Sequence, residues 1–254
     1  MVRKKKIILT DMFKRYLVKF AIRLFIFFAI LFAYITQKEI LYGFMTHEFT
    51  FGVIEYGISP LHVLWLGFMV MMIMHLFPNK KLSMALKKNK EENYHEVQGY
   101  SEHELLKFVQ DQNIKAWTVM LVWLCFNAIW GFLYLFEVID NADLLMLTVF
   151  YFLCDYICIL FFCPFQTYIM KNKCCVNCRI YDWGHFMMFT PMLFIKNFFS
   201  WSLLFTSLVV LIRWEIVYAK HPQRFWSGSN KTLQCATCKD KTCQMKHKLK
   251  NSIN

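Results

Sequence analysis

Five stretches of this chain, residues 17–35, 61–77, 116–138, 144–163 and 186–218, are apolar almost without interruption. A hydrocarbon core about 30 Å thick is crossed by about 20 helical residues, and a helix satisfies its own backbone polar groups there. The runs therefore predict an all-α, multi-pass integral membrane protein with about five transmembrane helices, one of them re-entrant or interfacial. Hydrophobic residues make up 57% of the chain and are gathered in these blocks. A soluble core would instead spread them over short amphipathic periods.

The amino terminus, MVRKKKIILTDMFKRYLVKF, is basic and leads straight into the first run. That run is too long for a cleaved leader and lacks a small-residue cleavage site, so it reads as an uncleaved signal anchor. Ser59-Pro60 suits a helix start, with Ser capping free amides and Pro at the first helical position. The second helix, ended by Pro78, barely crosses the hydrocarbon at about 1.5 Å per residue.

Residues 79–115 form the one sizeable polar loop. Ser101 and Glu104 have the spacing of a capping box ahead of a short amphipathic helix over 102–112, and the loop is expected against the membrane surface. The connection 139–143 is short and acidic, so the helices on either side of it form an antiparallel hairpin. Pro164 breaks or kinks the second of them. As one helix, residues 186–218 would measure about 50 Å, well beyond a bilayer core. Pro191 and Lys196-Asn197 divide the region, giving a re-entrant or interfacial piece over 186–196 and a helix over 200–218. The organisation expected is a helical membrane domain over 1–218, with a cysteine loop at 171–185, and a basic tail over 219–254.

The net charge of +12 lies almost entirely between the apolar runs. The excess of Lys and Arg that membrane proteins keep on the cytoplasmic side accounts for it. Nucleic acid is excluded as a partner, because no basic stripe interleaves with exposed aromatics on a soluble module. Six Lys/Arg precede residue 16 and seven lie in 79–115, against one in 36–57 and none in 139–143. This alternation places a cell-membrane protein with its amino terminus, the large loop and the 171–179 stretch in the cytoplasm. The tail, with eight Lys/Arg, joins them if 186–218 turns back.

Of ten cysteines, four (Cys125, Cys154, Cys158, Cys163) lie in or beside apolar runs, where cysteine is a common small apolar residue. The other six form two compact groups: Cys174, Cys175 and Cys178 in KNKCCVNCR, and Cys235, Cys238 and Cys243 in CATCKDKTC. Each group contains a C-x-x-C pair, a spacing that turns two thiolates onto one metal. Two pairs supply the four soft ligands of zinc or an iron–sulfur cluster. The two surplus thiols favour a cluster over a single structural zinc. Disulfides are disfavoured where thiols stay reduced. Arg179, Trp183 and His185 adjoin the first group, where interfacial anchoring is the commoner role and metal ligation by His185 the sharper one.

Asp155 sits near the middle of the fourth run, where an ionisable group is costly and a functional candidate. It reads either as a proton-handling carboxylate beside a redox site or as a helix lock bonded to Asn127 or Lys196. His62 and His75 are thirteen residues apart in the second run, about 140° around a helix, which fits interfacial histidines better than a haem pair. Asn230-Lys231-Thr232 is a glycosylation sequon only if the tail reaches a secretory lumen. No phosphate loop, nucleophile elbow or H-E-x-x-H is present.

Together these features point to a membrane-embedded iron–sulfur protein in electron transfer at the cytoplasmic face. Its expected partners are lipid and a quinone or a soluble oxidoreductase, with Asp155 handling protons. The alternative is a multi-pass transporter, assembly or scaffold protein with a cysteine-ligated structural zinc.

Overall fold

The computed structural model describes residues 9–36, 38, 60–77, 83–172, 174–246 and 248. Among them are α1 (Asp11–Thr36), α2 (Pro60–Leu76), the single turn α3 (Met84–Lys87), α4 (Glu102–Leu135), α5 (Asn141–Leu160), α6 (Gly184–Phe189) and α7 (Phe198–Lys220). The described residues contain no strand, only an isolated bridge between Glu96 and Asn230. Four helices, α1, α4, α5 and α7, are long and apolar enough to cross a membrane, and α2 is a shorter apolar helix. Ser59, Pro78, the basic residues before position 9 and most of the 36–57 connection lie outside the described residues.

The bundle is apolar on the outside and encloses buried polar groups within its hydrophobic core. Phe25, Phe32, Trp117, Phe132 and Phe205 point outward, whereas Arg23, Gln112, Asn127 and Ser207 are buried. Lipid tails are as apolar as Leu, so such helices associate through packing and polar contacts and not through hydrophobic exclusion. Asn127 shows how this works. It donates to its own helix at Trp123 O and accepts from Tyr151 Oη at 3.3 Å, tying α4 to α5.

Several helix ends differ from the sequence expectation. Residues 102–112 and the third spanning helix are one continuous helix of 34 residues, α4. No Gly or Pro separates them, and Lys115 pairs with Asp111 one turn back across the intended break. Ser101 occupies the N-cap position but makes no side-chain cap bond. The reciprocal capping box forms instead at α5, where Asp140 and Asp143 each accept the other's backbone amide. The fourth helix thus begins at Asn141 and ends at Leu160, short of Cys163. A π-helical turn, Phe165–Ile169, follows Pro164.

The last apolar region is divided, as its length requires. α6 runs into a 3-10 stretch, Thr190–Phe194, with Pro191 near its start, where a missing amide costs nothing. Asn197 then caps α7 by accepting the Ser200 amide at 2.7 Å. The arm from 184 to 194 packs back along α7. At 1.5–2.0 Å per residue it reaches about 20 Å at most, short of a bilayer core of about 30 Å.

The polar segments do not spread over the surface separately. Val97 N donates to Ser229 O at 3.0 Å and Lys231 N to His95 O at 2.8 Å, so the 83–101 loop is laced to the tail. Met84 N donates to Asp240 Oδ2 at 2.8 Å, and Thr10 Oγ1, ahead of α1, to Asp240 O at 2.7 Å. The start of α1, the loop, the 171–183 segment and the tail therefore sit at one end of the bundle. Asn230 is buried there. Its carboxamide donates to Arg224 O and accepts from the backbone and hydroxyl of Thr232, so this fold has no room for a glycan on it.

Candidate functional site

The segment 171–185 carries the chemistry because it joins the end of α5 to α6 and faces both the polar interior and the tail. Four neighbourhoods meet along it.

The first is the Asp155 neighbourhood. Arg23 of α1 donates to Asp155 Oδ2 at 2.9 Å and to Phe152 O at 2.6 Å. Its guanidinium is sandwiched between the rings of Phe152 and Tyr156, each 3.9 Å away. A planar, weakly hydrated guanidinium suits such a stacked and buried pair. Asp155 is therefore paired with Arg23, not with Asn127 or Lys196. Gly184 lies against the same carboxylate: a Cβ there would meet Asp155 Oδ1 at 2.9 Å, so a larger residue would have to displace the carboxylate from its place against Arg23.

The second is a histidine–aspartate cluster. His75, near the end of α2, meets Asp182 Oδ1 through Nδ1 at 2.7 Å, and its Nε2 faces His185 Nε2 at 3.4 Å. Asp182 and His185 are buried. His75 thus turns inward, and neither it nor His185 serves as an interfacial anchor. The cluster lines a cavity of about 330 Å³ whose wall also holds Lys19, Arg23, Asp155 and Tyr181.

Arg179 and Trp183, the other two residues expected at an interface, are buried as well. Arg179 forks onto both oxygens of Glu215 on α7, and Trp183 Nε1 donates to the same carboxylate at 2.7 Å. This bidentate clamp holds the cysteine segment down on α7.

The thiols form the fourth neighbourhood, and they divide. Cys174 is hydrogen-bonded to Cys243 of the tail, and Cys238 and Cys235 lie within electrostatic reach of that pair. The shared hydrogen bond with Cys243 pulls the Cys174 thiol down to about 6 and pushes Cys243 up. Cys175 and Cys178 point the other way, into the bundle. Cys175 Sγ lies 3.2 Å from Gln166 Oε1 and accepts from Lys246 Nζ at 2.9 Å; burial raises its thiol to about 12. Cys178, raised to about 11 by burial, has Cys163 among its electrostatic neighbours. The two groups do meet on one face. Even so, no three of the described cysteines bring their sulfurs within 4.8 Å of one another; among the described residues only His75, Asp182 and His185 do so with their ligand atoms.

Cations are built into this face. Lys88 is fully buried, donates to Cys178 O at 3.2 Å and lies 5.2 Å from the ring centres of both Trp214 and Phe225. Burial lowers its amine to about 8, and the groups that offset this most are Cys178 and Cys174. A buried ammonium is costly unless an anion answers it.

No protein-family model matches the chain, and no curated protein or solved structure matches it.

Sequence reasoning passed over Arg23 and Asp182. Arg23 was as anomalous within its apolar run as Asp155 within its own, and of opposite sign, so the two were natural partners. Asp182 stands three residues before His185, a spacing that places both on one side of a helical turn.

Proposed function

We propose that the protein is a membrane-embedded metal–thiolate protein whose cysteine loop and tail hold a centre together at one end of the helical bundle. The observation that carries this reading is the contact between Cys174 and Cys243, which joins groups separated along the chain by α6 and α7. Two cations support it, because a thiolate centre is anionic: the buried Lys88 lies within electrostatic reach of Cys174 and Cys178, and the half-buried Lys246 donates to Cys175. The start of α1 touches the tail, and the basic loop sits at the same end. With the charge pattern of the connections, this supports a cytoplasmic location for the amino terminus, the loop and the tail together.

The leading form of the centre is an iron–sulfur cluster that passes electrons at this face. An apolar cavity of about 420 Å³ counts Cys163, Cys175, Cys178 and Asp155 among its lining residues, a setting suited to a quinone ring. Asp155 would then handle the accompanying proton. A second reading is favoured by the division of the thiols. Cys174, Cys235, Cys238 and Cys243 are four soft ligands, the number a single structural zinc takes, and a scaffold or transport protein needs no more.

Protein purified without oxygen decides between them. Stoichiometric iron and acid-labile sulfide with broad visible absorbance would support the cluster, and a colourless protein replete with zinc the second reading. Loss of all metal affinity with the six cysteines intact and reduced would defeat both. Alkylation in sealed vesicles tests the shared face separately: Cys235 labelled from the side opposite Cys174 rules it out.

A further inference from the structure

The histidine–aspartate cluster lies on the other side of segment 171–185 from the tail thiols, and its geometry is more closely specified than theirs. Asp182 can only accept when ionised, so the 2.7 Å contact assigns the proton to His75 Nδ1. That leaves His75 Nε2 as a bare lone pair, and it points at His185 Nε2. Their separation of 3.4 Å is long for a ring N–H···N bond. It is close to the edge of a ligand tetrahedron, about 3.3 Å for metal–nitrogen bonds of about 2.05 Å. Carboxylate, Nδ1–H and free Nε2 in line is also the arrangement in which a metal-binding histidine is usually oriented. In that tautomer His75 is neutral and gives the buried Asp182 carboxylate a hydrogen bond but no counter-charge, so a cation on Nε2 would be favoured there. The ligand atoms of all three residues lie within 4.8 Å of one another.

We infer that His75 and His185, with Asp182 orienting His75 through its Nδ1, bind one divalent transition-metal ion of the zinc class, distinct from any thiolate centre, with open coordination positions on the polar cavity. Imidazole suits this class of ion. Two imidazole ligands leave positions for water or a small anion, as catalytic sites keep and closed structural sites do not. Lys19 and Arg23 in the cavity wall face the side from which such an anion would approach. The site joins α2 to the 181–185 turn, so the ion would also fasten the shortest apolar helix to the bundle.

The test uses the full-length protein in detergent micelles, stripped with a chelator, its accessible thiols blocked with iodoacetamide, and titrated with Co²⁺. One equivalent is expected, with ligand-field absorption and without sulfur-to-cobalt charge transfer; that last feature separates this site from the cysteines. Asp182→Asn should weaken binding tenfold to a hundredfold, in the range seen when a histidine's carboxylate partner is lost. His75→Gln and His185→Gln should abolish binding while helix content by circular dichroism stays unchanged. If the glutamine variants do not fold, the wild-type stoichiometry and the Asp182→Asn shift still decide. No cobalt uptake by the blocked protein, a spectrum dominated by thiolate, or unchanged affinity in Asp182→Asn would each overturn the inference. The thiolate reading survives any of these, because metal bound by unblocked cysteines is counted separately.

Discussion

Arg23 on α1 and Asp155 on α5 are joined at 2.9 Å between two largely apolar helices, whose other end is tied by Tyr34 to Asp143. The sequence places them 132 residues apart, and their contact fixes both the register and the rotation of α1 on α5. Arg23→Leu leaves Asp155 without its counter-charge, and Asp155→Leu leaves Arg23 without its own. Each single change is expected to cost about 3–5 kcal/mol, as breaking a buried pair does, and the double Leu variant to regain much of that loss. Thermal unfolding of the four proteins in the same micelle measures the coupling. Additive losses in the double variant would mean the pair contributes no interaction of its own.

Gly184 is needed for the close approach of α6 to that carboxylate. Gly184→Ala sets a methyl 2.9 Å from Asp155 Oδ1 and should cost about 1–3 kcal/mol, the range for overpacking. An alanine variant as stable as the wild type would show that the α5–α6 contact yields easily.

Lys88 gives a pH-dependent prediction. Its amine falls from 10.5 to about 8 on folding, and at about 1.4 kcal/mol per pH unit this is a destabilisation of about 3 kcal/mol in the metal-free protein. Below about pH 8 both states hold the proton and the cost is complete; between about 8 and 10.5 only the unfolded state holds it, so stability climbs with pH. Lys88→Met is therefore expected to stabilise the metal-free protein by up to about 3 kcal/mol at neutral pH, with the gain fading as pH rises towards 10.5. Unfolding midpoints of the two proteins across that interval check it. A gain that grows with pH would contradict the burial argument.

The thiols should differ in reactivity. With metal removed, Cys174 holds its proton loosely because of the bond with Cys243, while Cys175 and Cys178 hold theirs tightly because they are buried. Brief iodoacetamide treatment at pH 7 is expected to modify Cys174 at least tenfold faster than either neighbour, since the thiolate is the reacting form. Peptide mass spectrometry after limited labelling reads this order. Cys243→Ser should slow the Cys174 reaction, because the stabilising thiol is gone.

How much of this was legible beforehand depended on distance along the chain. The spanning helices were readable because hydrocarbon imposes one solution on the backbone, and the division near Asn197 because a helix of 33 residues exceeds the bilayer. Local detail was less secure. Ser101 and Glu104 have the composition of a capping box, as Asp140 and Asp143 do, and only the packed structure shows which pair closes. The break expected near residue 113 had no Gly or Pro behind it, and α4 runs through. The pairings that build the interior were out of reach: Arg23 with Asp155 and His75 with Asp182 span 132 and 107 residues. Nothing local marks such partners except that each is an ionisable group in an apolar setting. Read as a set of opposite signs, these residues pointed inward; taken one by one, His75 and His185 looked like surface anchors.

The contact between Cys174 and Cys243 has a consequence for biogenesis. α7 lies between the two residues in the chain, so Cys243 reaches Cys174 only after that helix has been threaded into the bilayer. Until then the first three thiols lack the tail cysteines. Occupancy of this face would therefore serve as a seal on finished insertion, set only once the tail has reached the loop and absent from any chain that stalls before α7 is in place.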